Sequence, residues 1–220
     1  MRQIIILSFI FFAACNDNKQ ATQQIFADGS KTVSQAISAD PTNKPKNTWV
    51  DRLNHEEYPL PDSIGGKPVS FYLNNPKVVA IAKSFYKGQF RPTDNDSTTQ
   101  LLSYVTTDDS TIRPFYRWCL DFTISISDGA LGEYPGNPAL EYATKFPKEF
   151  FEYMDKDNSG QRYKQWTEII AYSGLNDYNK KEMEIEEEII SKMHDKCHFC
   201  GGDTKMAFVK DITKAIKLQD

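Results

Sequence analysis

Hydrophobic residues in the second half of the chain recur at spacings of three and four residues, with polar residues between them. This spacing places apolar side chains along one stripe of an α-helix, and recurring prolines and glycines divide the pattern into successive helices. The pattern predicts a mostly α fold, a single irregular multi-helix domain of about six to eight helices that form a bundle or an array of helical hairpins.

Capping residues and prolines predict where the helices begin and end. Asn75-Pro76 and Asn137-Pro138 each combine a cap residue with a proline, whose missing N–H is tolerated in the first helical turn. Pro147 lacks the N–H that a helix interior needs, so it predicts a break near Phe146. Other helices are predicted to begin near Ser97, Ser110, Ser159, Asp177 and Asp203, and two are predicted to end at Gly88 and Gly174.

Two stretches before residue 75 lack the helical pattern. Residues 48–74 are rich in proline, glycine and aromatic residues, which predicts an extended segment held across the helices. Residues 15–47 are mostly polar, and such a composition cannot bury enough surface to offset the entropy lost on ordering. They are predicted to form a flexible tether, so the helical globular domain is expected to span residues 48–220.

The first residues of the chain have the order of a secretory signal. Arg2 is followed by an apolar run from Ile4 to Phe12 and then by two alanines before Cys15. The run is too short to span a bilayer, because a membrane-spanning helix needs about 20 apolar residues. The pattern predicts a signal peptide at residues 1–14 that is removed from the mature protein.

The residues Phe12-Ala13-Ala14-Cys15 resemble the lipobox of bacterial lipoproteins, in which small residues precede an invariant cysteine and Leu, Val or Ile usually stands where this chain has Phe12. The resemblance covers residues 1–15 alone. It implies lipidation of Cys15, and more than one acyl chain makes a lasting anchor in the lipid bilayer. It therefore implies a location in the bacterial cell envelope. Asn16 is not the aspartate of an inner-membrane retention signal, so the outer membrane is favoured.

The overall composition agrees with a folded domain. Hydrophobic residues make up 40% of the chain and charged residues 25%, close to the average for globular proteins. The formal net charge of −4 provides no excess of basic surface for a phosphate backbone. Nucleic acid is therefore not an expected partner.

A cysteine-histidine cluster occupies residues 194–200, with His194, Cys197, His198 and Cys200. A disulfide between the two cysteines is the favoured interpretation, because the cell envelope is oxidising. The four side chains are also the ligand types of a tetrahedral structural zinc site, so zinc is the alternative cofactor. A redox pair needs its first cysteine at a helix N-terminus, and haem attachment needs a histidine where Gly201 stands, so both are disfavoured.

A short acidic loop resembles the first half of a calcium-binding loop. Asp155, Asp157 and Ser159 occupy the first three ligand positions, and Gly160 follows them. The twelfth position requires a bidentate glutamate and holds Trp166 instead. A turn that caps the following helix accounts for the same residues, and it is preferred to a calcium site.

Neither a Gly-x-Ser-x-Gly nor a His-Glu-x-x-His motif occurs, and acids such as Asp121 and Glu133 are too common to mark a catalytic site. The favoured interpretation is an envelope lipoprotein with a non-catalytic helical domain, without a cofactor. Its expected partner is another envelope protein or a surface component. One alternative is a metal- or thiol-dependent envelope protein that uses the cysteine-histidine cluster. Another is an enzyme that acts on cell-wall or glycan material through an unrecognised carboxylate pair.

The lipid anchor predicts the behaviour of a Cys15→Ala variant. Without the thiol there is no atom to carry the diacylglyceryl group, so the variant is expected to leave the membrane fraction and to incorporate no labelled fatty acid. Cell fractionation with a fatty-acid label measures both effects. Acyl labelling equal to that of the wild type would contradict the anchor.

The disulfide interpretation predicts that unreduced peptides contain a Cys197–Cys200 bond and that chelators leave thermal stability unchanged. Because the loop is so short, Cys197→Ser is expected to cost no more than about 2 kcal/mol of unfolding free energy. Mass spectrometry and thermal unfolding test these points. A zinc site predicts the opposite, namely free thiols, stoichiometric zinc and a large loss of stability with a chelator.

Overall fold

The computed structural model describes residues 47–175, 182–194, 196 and 200–217. In these residues, helices dominate and strands are confined to two small antiparallel hairpins. The mostly α fold predicted from the hydrophobic pattern is therefore confirmed. The predicted signal peptide and lipidated tether lie outside the described residues and stay predictions.

The two hairpins precede the helices. Strand β1, Thr48–Asp51, pairs with β2, Glu56–Pro59, and strand β3, Ser63–Ile64, pairs with β4, Lys67–Pro68. The turn between β3 and β4 consists of Gly65 and Gly66, which both have positive φ angles, 57° and 77°. Two such residues form the tight turn whose twist matches that of the strands, and glycine adopts it without steric cost.

The described residues contain nine α-helices. They are α1 Val69–Leu73, α2 Ala80–Tyr86, α3 Asp96–Ser103, α4 Arg113–Ser125, α5 Gly136–Lys145, α6 Pro147–Met154, α7 Gln161–Ser173, α8 Glu182–His194 and α9 Gly202–Lys217. Short 3₁₀ helices at Tyr104–Thr106 and Gly129–Glu133 lie on either side of α4.

Within the segment predicted to be extended, residues 48–74, the structure contains one short helix, α1. Val69 and Tyr72 are buried on the same side of this single turn. The Tyr72 hydroxyl donates to the carbonyl of Ile64 at 2.9 Å, and its ring stacks on Phe115 with centroids 5.1 Å apart. Contacts distant in sequence therefore stabilise a helix too short to form by itself.

Several predicted helix starts are also corrected. Helix α2 begins at Ala80 rather than at Asn75-Pro76, because the Asn75 side chain accepts from the Lys77 N–H at 2.9 Å in a local turn. Asn95, not Ser97, caps α3 by accepting from the Thr98 N–H at 3.0 Å. The break at Pro147 is confirmed, since α5 ends at Lys145 and α6 begins with this proline.

Helix α4 lies within the core. Its residues Phe115, Tyr116, Cys119 and Leu120 are almost completely buried, and the rings of Phe115, Trp118 and Phe122 form a stacked row along one side. Trp49 of β1 packs edge-on against Phe122, with centroids 5.1 Å apart. The first hairpin is thereby attached to α4.

A buried ion pair also holds this hairpin. Asp51, at the end of β1, has a side chain with 0% exposure, and both of its oxygens accept from the guanidinium of Arg91 at 2.8 and 2.9 Å. The hydrogen bond from Arg91 lowers the pKa of Asp51. The bidentate geometry satisfies a carboxylate that has no access to solvent.

Helices α5 and α7 approach so closely that glycine is required at their contact. A Cβ atom on Gly136 would lie 2.3 Å from Ser173 Oγ and 2.5 Å from the backbone nitrogen of Gly174. Ser173 Oγ also accepts from the Gly136 N–H at 3.2 Å and donates to the carbonyl of Gly132 at 2.8 Å. This contact fixes the start of α5 against the end of α7.

None of the helices in the described part of the chain has the length and apolar character needed to cross a membrane.

The close contact predicts that Gly136→Ala destabilises the domain by at least about 2 kcal/mol, because backbone atoms of α7 must move to admit a methyl group. Urea unfolding measures the change in the free energy of unfolding. Gly202→Ala is the matched control, since a Cβ there meets no atom within 4 Å. It is expected to be neutral or slightly stabilising, and an equal loss in both variants would contradict the contact.

Candidate functional site

A cleft opens between α4 and α7, with a volume of about 240 Å³. We call it the α4–α7 cleft. Its lining consists of Trp118, Asp121, Phe122 and Ser125 of α4, Gln161, Arg162 and Gln165 of α7, and Asp157 of the loop before α7.

The α4 wall follows from helical spacing. Residues 118, 121, 122 and 125 are three or four positions apart, so their side chains share one face of the helix. The rings of Trp118 and Phe122 are stacked with centroids 5.4 Å apart, and both rings are half-buried. This wall therefore combines two aromatic rings with polar groups at Asp121 and Ser125.

The α7 wall begins at a capping turn. The Asp157 carboxylate accepts from the Arg162 N–H at 2.8 Å and from the Ser159 hydroxyl at 2.6 Å. Gly160 has a φ of 70°, which lets the chain turn into the helix. These bonds hold the first turn of α7 so that Gln161 and Gln165, one turn apart, both line the cleft.

The same turn accounts for the residues that resemble a calcium loop. Both oxygens of Asp157 already accept hydrogen bonds within the turn. Among the described residues, no three His, Cys, Asp or Glu side chains lie close enough together to hold a metal ion. Asp155, Asp157 and Ser159 are therefore not proposed as calcium ligands.

Asp121 joins three helices on the α4 side of the cleft. Its Oδ1 accepts from the Trp166 indole N–H and its Oδ2 from the Tyr153 hydroxyl, each at 2.7 Å. The Nε of Arg162 lies 3.5 Å from the same Oδ2. The position of the carboxylate is thus set by α6 and α7 together.

Two guanidinium groups pack on the Tyr153 ring, those of Arg117 at 4.0 Å and Arg162 at 4.4 Å from its centroid. Arg117 also donates to the Tyr142 hydroxyl at 2.9 Å. Burial, and then the charge of Asp121, raise the pKa of Tyr153 well above its usual value. The phenol therefore stays protonated and remains a donor to Asp121.

The arrangement in the cleft favours binding over proton transfer. A general acid needs a carboxyl whose pKa is raised towards neutrality. The hydrogen bond from the Ser159 hydroxyl instead lowers the pKa of Asp157 to about 2. Both oxygens of Asp121 are already occupied as acceptors. Glu133, the other acid considered from the sequence, is exposed at the end of a 3₁₀ helix.

The cysteine-histidine cluster is only partly described. His194 is the exposed last residue of α8, and Cys200 is half-buried just before α9. Cys197 and His198 lie outside the described residues, so the disulfide and the alternative zinc site both stay predictions. Cys119 is a free thiol with 0% exposure, and burial raises its pKa, so it is an inert core residue.

A second groove, of about 540 Å³, lies between α5 and α8 and contains three lysines. Lys145 forms an ion pair with Asp108 at 2.9 Å, and Lys192 forms one with Glu188 at 2.6 Å. Because acids already balance two of these lysines, the groove is a weaker candidate for a ligand site than the α4–α7 cleft.

No family model, curated protein or solved structure matches the chain. The functional proposal therefore rests on the geometry of the α4–α7 cleft.

Asp121 is expected to be needed for the architecture of the cleft. Asp121→Ala leaves the Tyr153 hydroxyl and the Trp166 N–H without an acceptor, which is expected to cost about 2 to 4 kcal/mol of unfolding free energy. Asp121→Asn keeps one acceptor oxygen and is expected to lose about half as much. Denaturant titration of both variants measures the difference. Equal stability of Asp121→Ala and the wild type would contradict the role of this carboxylate.

Proposed function

We propose that the protein is a lipid-anchored lipoprotein of the bacterial cell envelope and that its membrane is the outer membrane. Its helical domain binds a surface component without chemically changing it. The α4–α7 cleft is the proposed binding site. The observation that carries the proposal is that one wall presents two side-chain amides without partners among the described residues, while the acids of the cleft already serve as hydrogen-bond acceptors.

The size of the cleft supports a small recognised group. Its volume of about 240 Å³ lies just below the range of about 300–1,000 Å³ typical of ligand pockets. Such a cleft accommodates one ring-sized unit, either a free compound or one unit of a longer chain that continues over the surface.

The chemistry of the carboxylates supports binding without catalysis. The low pKa of Asp157 makes it an acceptor at any physiological pH. Asp121 accepts one hydrogen bond at each oxygen and thereby holds the Tyr153 and Trp166 side chains in place, which gives it a structural role. A cell-wall enzyme with a carboxylate pair needs one protonated acid, so this alternative is not favoured.

The proposed tether gives the domain freedom at the membrane. A flexible chain of the length of residues 15–47 has a root-mean-square span of roughly 30 Å. This span suits a binding domain that searches near the membrane surface for its ligand.

A disulfide between Cys197 and Cys200 belongs to the same proposal. Cys200 carries no free thiol, which supports a covalent state at this position. The bond would restrict the connection between α8 and α9, and it has no catalytic part in the proposed function.

The proposed function predicts that the cleft retains an envelope compound and releases it unchanged. The full chain, in detergent micelles, is incubated with a soluble envelope extract, and the retained small molecules are identified by mass spectrometry. A Gln165→Trp variant, whose side chain fills the cleft, is expected to lose them. Gln100→Trp is the control, because Gln100 is also an exposed helical glutamine but lies on α3.

The alternatives give different results in this experiment. Compounds recovered in cleaved or modified form would show an enzyme and overturn the non-catalytic proposal. Retention of the same compounds by wild type and Gln165→Trp would show that the cleft is not the binding site.

A further inference from the structure

We infer that the α4–α7 cleft binds a neutral saccharide unit. This inference rests on the proposed function, in which the cleft is the ligand site, and it specifies the chemical class of the ligand. The supporting features are the balance of donors and acceptors in the cleft, its charge, and the aromatic pair on its α4 wall.

The first feature is the pair of amides on α7. Gln161 and Gln165 are exposed, and within the described residues neither side chain has a hydrogen-bond partner. Each amide presents an acceptor oxygen and a donor NH₂ group. Because the two residues are one helical turn apart, they offer alternating donors and acceptors along one wall. Adjacent sugar hydroxyls, which both donate and accept, match this alternation.

The second feature is a fixed polar group, the guanidinium of Arg162, on the same α7 wall as the amides. The guanidinium of Arg162 uses Nε towards Asp121 and Nη1 towards the carbonyl of Tyr153, at 3.2 Å. Its remaining N–H groups have no hydrogen-bond acceptor among the described residues, and the side chain is 28% exposed. The Asp121 carboxylate holds this guanidinium in one orientation. A pre-positioned donor binds a neutral hydroxyl with little loss of side-chain entropy.

The third feature is the aromatic pair of Trp118 and Phe122. Both rings are half-buried, so part of their apolar surface faces the cleft. A sugar ring has apolar C–H groups as well as hydroxyls, and such an amphiphilic ring suits a cleft with aromatic rings on one wall and amides on the other.

The charge of the cleft argues against an ionic ligand. Asp121, Asp157 and Arg162 sum to a formal charge of −1, which disfavours phosphates and carboxylates. A cationic ligand would have to approach the guanidinium of Arg162, and both acids are already engaged with N–H or O–H donors. A neutral ligand avoids both penalties, since it brings no charge into the cleft.

The inference is tested with three neutral tetrasaccharides, namely cellotetraose, maltotetraose and tetra-N-acetylchitotetraose. Inorganic tetraphosphate and spermine serve as an anionic and a cationic probe. The full chain is kept in a detergent without a sugar headgroup, because a maltoside would compete for the cleft. In the wild type, the binding site is located by NMR through the side-chain amide signals of Gln161 and Gln165, assigned with single alanine variants. The association constants of the wild type and of all variants are measured by isothermal titration calorimetry.

We expect at least one neutral tetrasaccharide to shift both amide signals. The double variant Gln161→Ala/Gln165→Ala is expected to lower the association constant about tenfold, the loss of two neutral hydrogen bonds. Both residues are exposed, so the variant is expected to keep its fold. Gln100→Ala is the control and is expected to bind as the wild type does.

The remaining outcomes distinguish the claim that the cleft binds a ligand from the claim that this ligand is a saccharide. Binding of tetraphosphate or spermine at the amides, without any tetrasaccharide, would overturn the saccharide inference and leave a binding cleft in place. Failure of all three tetrasaccharides would also overturn the inference, while the extract experiment still decides whether the cleft binds a ligand. Tetrasaccharide binding that the double variant leaves unchanged would overturn the assignment of the cleft itself.

Discussion

The burial of α4 is the constraint on which the rest of the described domain depends. This helix packs against α2, α3, α7 and strand β3, so most of its surface is covered. Its buried residues include Phe115, Cys119 and Leu120, each with 0% exposure. What remains uncovered is the edge that carries Trp118, Asp121, Phe122 and Ser125. The cleft therefore exists because one helix is almost completely enclosed and α7 does not cover its last edge.

Asp121 connects that edge to the rest of the structure. Its hydrogen bonds reach Tyr153 on α6 and Trp166 on α7, which lie 32 and 45 residues further along the chain. The network leaves the carboxylate well satisfied at the side of the cleft, and the same carboxylate faces Arg162. A polar group held in this way has a fixed position, so the groups around it offer a ligand a defined surface.

The polar groups of the cleft fall into two sets, and the difference between the sets bears on their function. The acids and Arg162 are committed to the structure through the capping turn and the Asp121 network. The amides of Gln161 and Gln165 make no such contribution in the described residues. The two amides line the cleft but do not stabilise the fold. They are therefore the groups that are free to contact a ligand. This division supports binding rather than acid-base chemistry in the cleft.

The amino-acid sequence by itself determined the helical character of the domain and the break at Pro147, because helical periodicity and the missing proline N–H act within a few residues. It did not predict α1, whose single turn is held by the contact of Tyr72 with Phe115. Trp118 and Phe122 stand four residues apart in the sequence, a helical spacing, but their partial exposure depends on where α7 packs. The sequence also did not predict the role of Asp121 as an acceptor for Tyr153 and Trp166, because these partners are distant in sequence. Interactions between residues close in sequence determine the helices. The cleft is formed by contacts between helices that are far apart in sequence, and only the tertiary structure brings those helices together.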